Sequence, residues 1–324
     1  MSFDRFKGQG DIAHAASVSD PLKDPAGYRA SPELARAVNV ALALQMPLLV
    51  TGDPGTGKTQ LAYRIAAELG LGEVRRFNTK SSSTATELFY QFDSVRQFAQ
   101  SQLNAAARQP LPAARDFLRP QALGAAILAT LDPAFVEQQL GTAHRHAQAV
   151  QSLVLIDEID KAPRDFPNDL LNQIEELEFQ VPELGAHFKA DRKLLPVVVI
   201  TSNSERQLPE AFLRRCVYHH IEFPKTLVAL QTMLGPRLQT LQLDSATLSA
   251  AAARFFSLRS DKTFSRAPST SELLDWLRAL RAHGLREGVP FEQQTAALAA
   301  AVGSLYKTRE DLAHAAKLMG APAT

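Results

Sequence analysis

Gly52-Asp53-Pro54-Gly55-Thr56-Gly57-Lys58-Thr59 decides the fold of this chain, read together with the apolar run Pro47-Leu48-Leu49-Val50 before it and Gln60 after it. The string fits G-x-x-x-x-G-K-[ST] and sits where a strand feeds a glycine-rich loop that opens a helix. Gly52, Gly55 and Gly57 let the backbone wrap closely around an anion. Several N–H groups then point inward, and the following helix adds its positive N-terminal end. Lys58 supplies a point charge for β- and γ-phosphates, and the Thr59 hydroxyl is placed for Mg²⁺. Gln60 to Leu69 reads as the helix, with Leu61, Ile65, Ala66 and Leu69 on one face. Residues Gly52 through Gln60 are therefore the expected nucleotide-binding set.

Working outward, Val74 to Asn78 reads as a second strand. Leu153-Val154-Leu155-Ile156 and Pro196-Val197-Val198-Val199-Ile200 are continuous apolar runs suited to buried parallel strands. Tyr218 to Phe223 makes a fifth. Helical patterns separate them: 31–44, Pro167 to Glu178 and Pro209 to Arg215. Strands alternating with helices predict an α/β fold, a P-loop core whose parallel five-stranded sheet is sandwiched by helices. After Pro224 the pattern is almost wholly helical, which predicts a smaller all-α lid. The expected organisation is a lead-in segment over 1–30, a core over 31–224 and a lid over 225–324. Residues 93–150 read as a mostly helical insertion in the core, too long for one crossover. Val181-Pro182-Glu183-Leu184-Gly185 reads as a hairpin turn.

A phosphate-binding loop needs carboxylates on a neighbouring strand. Leu153 to Ile156 delivers Asp157 and Glu158 at its C-terminal end, where open α/β sheets bind ligands. Asp157 would hold Mg²⁺ through its water shell, and Glu158 would polarise the attacking water as general base. Asn203 closes the next buried strand in Thr201-Ser202-Asn203. Its amide could reach a γ-phosphate and help place the water, or simply form a turn.

Composition narrows the class. The 324 residues carry 35 basic and 34 acidic side chains, a net charge of +1, and exert no global pull toward nucleic acid or a membrane surface. The single cysteine, Cys216, excludes an intrachain disulfide and suits a reducing compartment. The N-terminus lacks an apolar signal core and no run approaches a spanning length, so a cytoplasmic location is expected. The histidines of His144-Arg145-His146 and His219-His220 lack partners at zinc-site spacing.

The order GDPGTGKT, LVLIDEID, TSN, LPEAFLRRC resembles AAA+ ATPases, most closely the MoxR type, over roughly residues 35–224. That resemblance implies Mg²⁺-dependent hydrolysis of ATP to ADP and phosphate. It also implies an arginine finger acting on the neighbouring subunit's nucleotide in a homo-oligomeric ring, expected to be a hexamer. Arg215 falls at the matching position and Arg214 stands where many relatives carry an acid, so the finger is one of the two. The family's second sensor, an Arg at the start of a lid helix, matches Ser269 here. Arg266 lies just upstream and either substitutes or leaves the role absent. Ser269 and Glu272 form a capping box instead, ahead of an apolar face of Leu273, Leu274, Trp276, Leu277 and Leu280. Thr79 to Tyr90 and Phe179 to Leu195 match elements that line the pore of such rings, or are connecting structure.

The function implied is a chaperone-like remodelling ATPase acting on a protein client. A protein with a von Willebrand factor A domain is its implied partner, and no membrane is involved. A nucleic-acid motor or loader is the alternative, disfavoured by the charge balance. A monomeric P-loop kinase is a weaker one.

Overall fold

The apolar runs pair into one five-stranded sheet in the order β2-β5-β8-β1-β9. The strands are β1 (Leu48–Gly52), β2 (Arg75–Asn78), β5 (Leu153–Asp157), β8 (Val197–Ser202) and β9 (Val217–Ile221). Pairing is parallel between β2 and β5, β5 and β8, and β8 and β1. Residues 153–157 and 198–202 are buried throughout, as expected for strands covered on both faces. The computed structural model describes residues 7, 25–204, 208–231, 233, 243–286 and 288–319. Most of the 1–30 segment therefore lies outside the described residues; Tyr28 and Ala30 within it are buried.

Local chemistry sets the helices around the sheet. Helix α1 (Pro32–Leu44) starts at Ser31, whose Oγ accepts the Leu34 N–H at 3.1 Å, and has Pro32 in its first turn. Helix α2 (Lys58–Leu69) follows the glycine loop and buries Leu61 and Ile65 completely.

The insertion differs from the helical reading of 93–150. Besides α4 (Ser94–Ala106), α5 (Ala122–Ala129) and α6 (Pro133–Leu140), it contains strand β4 (Leu118–Pro120). This strand pairs antiparallel with β3 (Tyr90–Phe92), which follows helix α3 (Ala85–Phe89). Strands of three residues, one ending in proline, carry too little alternation to register as a period. The stretch Thr79 to Tyr90, matched above to pore-lining elements or connecting structure, packs its apolar end inward. Leu88, Phe89 and Tyr90 are buried in the core.

The helix expected over Pro167 to Glu178 is broken into α7 (Phe166–Asp169) and α8 (Leu171–Glu176). Leu177 takes a left-handed conformation, φ 48°, and Glu178 begins β6 (Glu178–Val181). Burial of the Leu177 side chain and the Ala190 N–H donating to its carbonyl at 2.9 Å hold a conformation that leucine disfavours. Strand β6 pairs with β7 (Ala186–Lys189) as the expected hairpin, and Gly185 supplies the left-handed turn residue.

By contact the chain divides into two units. One comprises 1–16, 30–51 and 59–220; the other comprises 17–29, 52–58 and 221–324. The first holds the sheet and its flanking helices. The second is helical around a core of its own, from α10 (Ser245–Ser260), α11 (Thr270–Ala282), α12 (Thr295–Leu305) and α13 (Arg309–Leu318). Helix α9 (Glu210–Leu213) belongs to the first unit. Trp276 is fully buried, and the Ser269–Glu272 capping box forms.

Gly124 shows how tightly the insertion packs. A Cβ there would lie 1.9 Å from the Phe89 carbonyl oxygen, a main-chain atom that cannot swing aside. Gly124→Ala is expected to destabilise by about 2–4 kcal/mol through overpacking, read as a lowered thermal midpoint. An unchanged midpoint would mean that α5 does not rest on that carbonyl.

Candidate active site

The glycine loop takes the backbone shape its sequence promises. Gly52, Gly55 and Gly57 have φ of 145°, 79° and 94°, values that side chains disfavour. Each is also closely approached. A Cβ would meet the Ile221 carbonyl oxygen at 2.6 Å from Gly52, Ser269 Oγ at 2.6 Å from Gly55 and Tyr28 Cε2 at 2.9 Å from Gly57. Lys58 is buried, and its Nζ donates to the carbonyls of Gly52 at 2.7 Å and Asp53 at 3.0 Å. Thr56 Oγ1 also donates to the Asp53 carbonyl, at 2.8 Å. Pro54 is exposed and Gln60 half-buried.

Two side chains in the same unit brace this loop, and sequence reasoning missed both. The Arg259 guanidinium, in the last turn of α10, donates to Asp53 Oδ2 at 3.0 Å and to the Pro268 carbonyl. It lies 3.5 Å from the centroid of the Phe223 ring, a cation–π stack. Thr270 Oγ1 donates to the Gly55 carbonyl. Arg259 stands in the last turn of an alanine-rich helix and carries no local signal. Arg266, which either substitutes as second sensor or leaves that role absent, is 60% exposed and pairs with Glu272.

In the sheet unit, Thr59 and Asp157 meet although they lie 98 positions apart. Thr59 Oγ1 donates to Asp157 Oδ1 at 3.0 Å and lies 3.3 Å from Oδ2. This follows from topology: β5 ends at Asp157 with its side chain buried. Arg76 Nη2 donates to Asp157 Oδ2 at 2.5 Å from the neighbouring β2. Thr201 Oγ1, from β8, donates to Asp157 Oδ1 at 2.6 Å. A hydroxyl and a carboxylate in hydrogen-bond contact are the hard oxygen donors that Mg²⁺ takes. The residues present therefore fit that ion.

Glu158 directly follows the strand in a left-handed conformation, φ 58°, and its N–H donates to Thr201 Oγ1 at 2.8 Å. Its carboxylate is 42% exposed and accepts from Lys161 Nζ at 2.5 Å. That hydrogen bond holds the Lys161 ammonium above the ordinary lysine range. Asn203 is half-buried beyond the end of β8, its N–H donating to Asp160 Oδ1 at 3.0 Å. The β5 and β8 ends are thus tied twice, through Thr201 and through Asp160.

The two candidate fingers differ. Arg214 is 75% exposed and pairs with Glu210 one turn away. Arg215 is 38% exposed, with Nε donating to Glu175 Oε2 at 2.7 Å and Nη1 to the Ala211 carbonyl at 3.2 Å. Neighbouring Cys216 is a packed thiol, its pKa pushed up to about 12 by burial, which removes nucleophilic thiolate at neutral pH. His146 meets the Leu131 carbonyl at 3.0 Å and His220 meets Thr51 Oγ1 at 2.9 Å. Among the described residues no His, Cys, Asp or Glu side chains form a metal-binding group of three or more. Among the same residues no helix is long and apolar enough to cross a membrane.

A family model described as AAA domain (dynein-related subfamily) matches residues 47–216, just over half of the 324-residue chain. Among solved structures, the "Crystal structure of FIGL-1 AAA domain in complex with ADP" is similar at 17% identity and a TM-score of 0.37. That likeness covers 86% of this chain and 73% of that one. No curated protein matches the chain in sequence.

Proposed function

This chain belongs to the AAA domain family, dynein-related subfamily, and from that premise we propose that it is a Mg²⁺-dependent ATPase of the MoxR type that remodels protein clients. The observation that carries the reading is the Thr59–Asp157 hydrogen bond, because it joins the loop motif to the carboxylate strand across 98 positions.

Lys58 would neutralise the β- and γ-phosphates, and the Gly52–Thr59 backbone would enclose them. Thr59 and Asp157 would hold Mg²⁺, which supplies charge neutralisation at the phosphate oxygens when bound. Glu158 would take the proton of the attacking water, and Asn203 would orient that water. Arg215, or Arg214, would reach the nucleotide of the next subunit in a ring. Six subunits, a cytoplasmic location, a von Willebrand factor A-domain partner and a protein client complete the proposal; they rest on the MoxR resemblance.

The test is ATP binding and hydrolysis by the full chain and by Lys58→Ala. The wild type should hydrolyse ATP only with a divalent cation. Lys58→Ala should lose about 100-fold or more in nucleotide affinity, since a buried charge partner of the phosphates is gone. A wild-type chain that binds no ATP would sink the proposal.

A further inference from the structure

We infer that Thr201 is a positioning residue that sets both carboxylates of the hydrolytic site with one hydroxyl. The inference rests on the proposed nucleotide reading of Asp157 and Glu158. Thr201 lies in β8, in register with Val50 of β1, and is 0% exposed. Its Oγ1 has one proton, donated to Asp157 Oδ1 at 2.6 Å. A lone pair of the same oxygen accepts the Glu158 N–H at 2.8 Å. Arg76 holds the other oxygen of Asp157, Oδ2, at 2.5 Å, but it makes no contact with Glu158, so among the described residues Thr201 is the hydroxyl that touches both. Thr59 also reaches Oδ1, but from a hydroxyl that the proposed function assigns to the cation.

The second contact matters for direction. Glu158 sits at φ 58°, a conformation that a side chain disfavours and that leaves its N–H turned inward. With that N–H anchored to a fully buried hydroxyl, the backbone of Glu158 has a fixed orientation from which its side chain departs. Thr201 therefore links the orientation of the metal-binding carboxylate to the aim of the base. Partners that orient ligating carboxylates in this way carry a large share of metal affinity. The second shared tie, Asp160 Oδ1 to the Asn203 N–H, leaves the side chains of Asp157 and Glu158 untouched.

The test compares the full chain with Thr201→Val and Thr201→Ser. Valine keeps the branched shape and burial but has no hydroxyl; serine keeps the hydroxyl and loses a methyl. Three readouts are needed: affinity for a fluorescent ATP analogue in EDTA, the same affinity in Mg²⁺, and the Mg²⁺ dependence of hydrolysis. Thr201→Val should bind within about twofold of wild type in EDTA. It should lose about tenfold in Mg²⁺-dependent affinity and about 10–100-fold in kcat. Thr201→Ser should stay within about threefold of wild type throughout. A Thr201→Val chain with wild-type Mg²⁺ dependence and kcat overturns the inference. So does one whose affinity falls equally with and without Mg²⁺, since the lesion is then general. Should Thr201→Val fail to fold, Thr201→Ser decides: a shifted Mg²⁺ dependence there overturns the inference. A wild-type chain that binds no ATP removes the nucleotide reading itself, a separate result.

Discussion

Glu158→Gln is expected to retain ATP binding and to lose about 10²–10⁴-fold in turnover. The amide matches the carboxylate in size and can still accept from Lys161, so the local structure has no reason to move. What it cannot do is take a proton from water. Lys58 and Asp157 keep their own contacts, so affinity should hold. One feature of the structure argues the other way: Glu158 is already engaged by Lys161 at 2.5 Å. The pair is half-exposed on both sides, 54% and 42%. Exposed pairs of this kind contribute little, because solvent screens them, and that is small beside the barrier a general base removes. The base can therefore leave Lys161 at little cost. Steady-state phosphate release with parallel equilibrium binding checks the prediction. Normal turnover in Glu158→Gln would remove Glu158 as the base.

The residues whose chemistry depends on neighbours in sequence were readable; those whose chemistry depends on neighbours in space were not. Gly52 to Thr59 declares itself because three glycines, a lysine and a hydroxyl must follow one another to wrap a phosphate. Asp157 and Glu158 declare themselves because a buried strand ending in two acids has few other uses. The strands of the sheet follow from the same apolar runs, but their order, β2-β5-β8-β1-β9, is set by pairing in space. Thr201, by contrast, is one hydroxyl at the end of another apolar run, and its partner is 44 positions away. Its signal is polarity at the C-terminal end of a buried strand, which it shares with Ser202 and Asn203. Arg76 and Arg259 look like ordinary surface cations in sequence. Their partners, Asp157 and Asp53, are 81 and 206 positions distant. The misread elements share a different cause. Leu177 ends α8 through a left-handed turn that leucine propensity opposes, held by a tertiary contact with Ala190. Strand β4 is three residues long and exists only because β3 pairs with it.

Arg215→Ala is expected to lower ATP turnover by about 10³-fold or more while leaving nucleotide affinity in place. Arg214→Ala should cost less than about tenfold, because a side chain in an exposed i,i+4 pair contributes a few tenths of a kcal/mol. The structure separates the two arginines by how each is held. Arg215 is fixed on Glu175 and on the carbonyl of Ala211, so its guanidinium has a defined starting direction. Arg214 is held only by Glu210, on its own turn, among the contacts of the described residues. A finger must present a fixed charge to a transition state, and preorganisation of that kind is what makes one effective. The decisive measurement is subunit mixing. Arg215→Ala subunits keep their phosphate loops; Lys58→Ala subunits keep their fingers. In a ring assembled at random from equal amounts, about one quarter of interfaces join an intact loop to an intact Arg215. Activity should therefore return to about a quarter of wild type at equal mixing and fall toward either pure variant. A finger acting within its own subunit gives no rescue at any ratio, since each subunit then lacks one essential group. A strictly monomeric chain gives the same flat result, together with a specific activity independent of protein concentration. Rescue by Arg214→Ala instead of Arg215→Ala would transfer the assignment to Arg214.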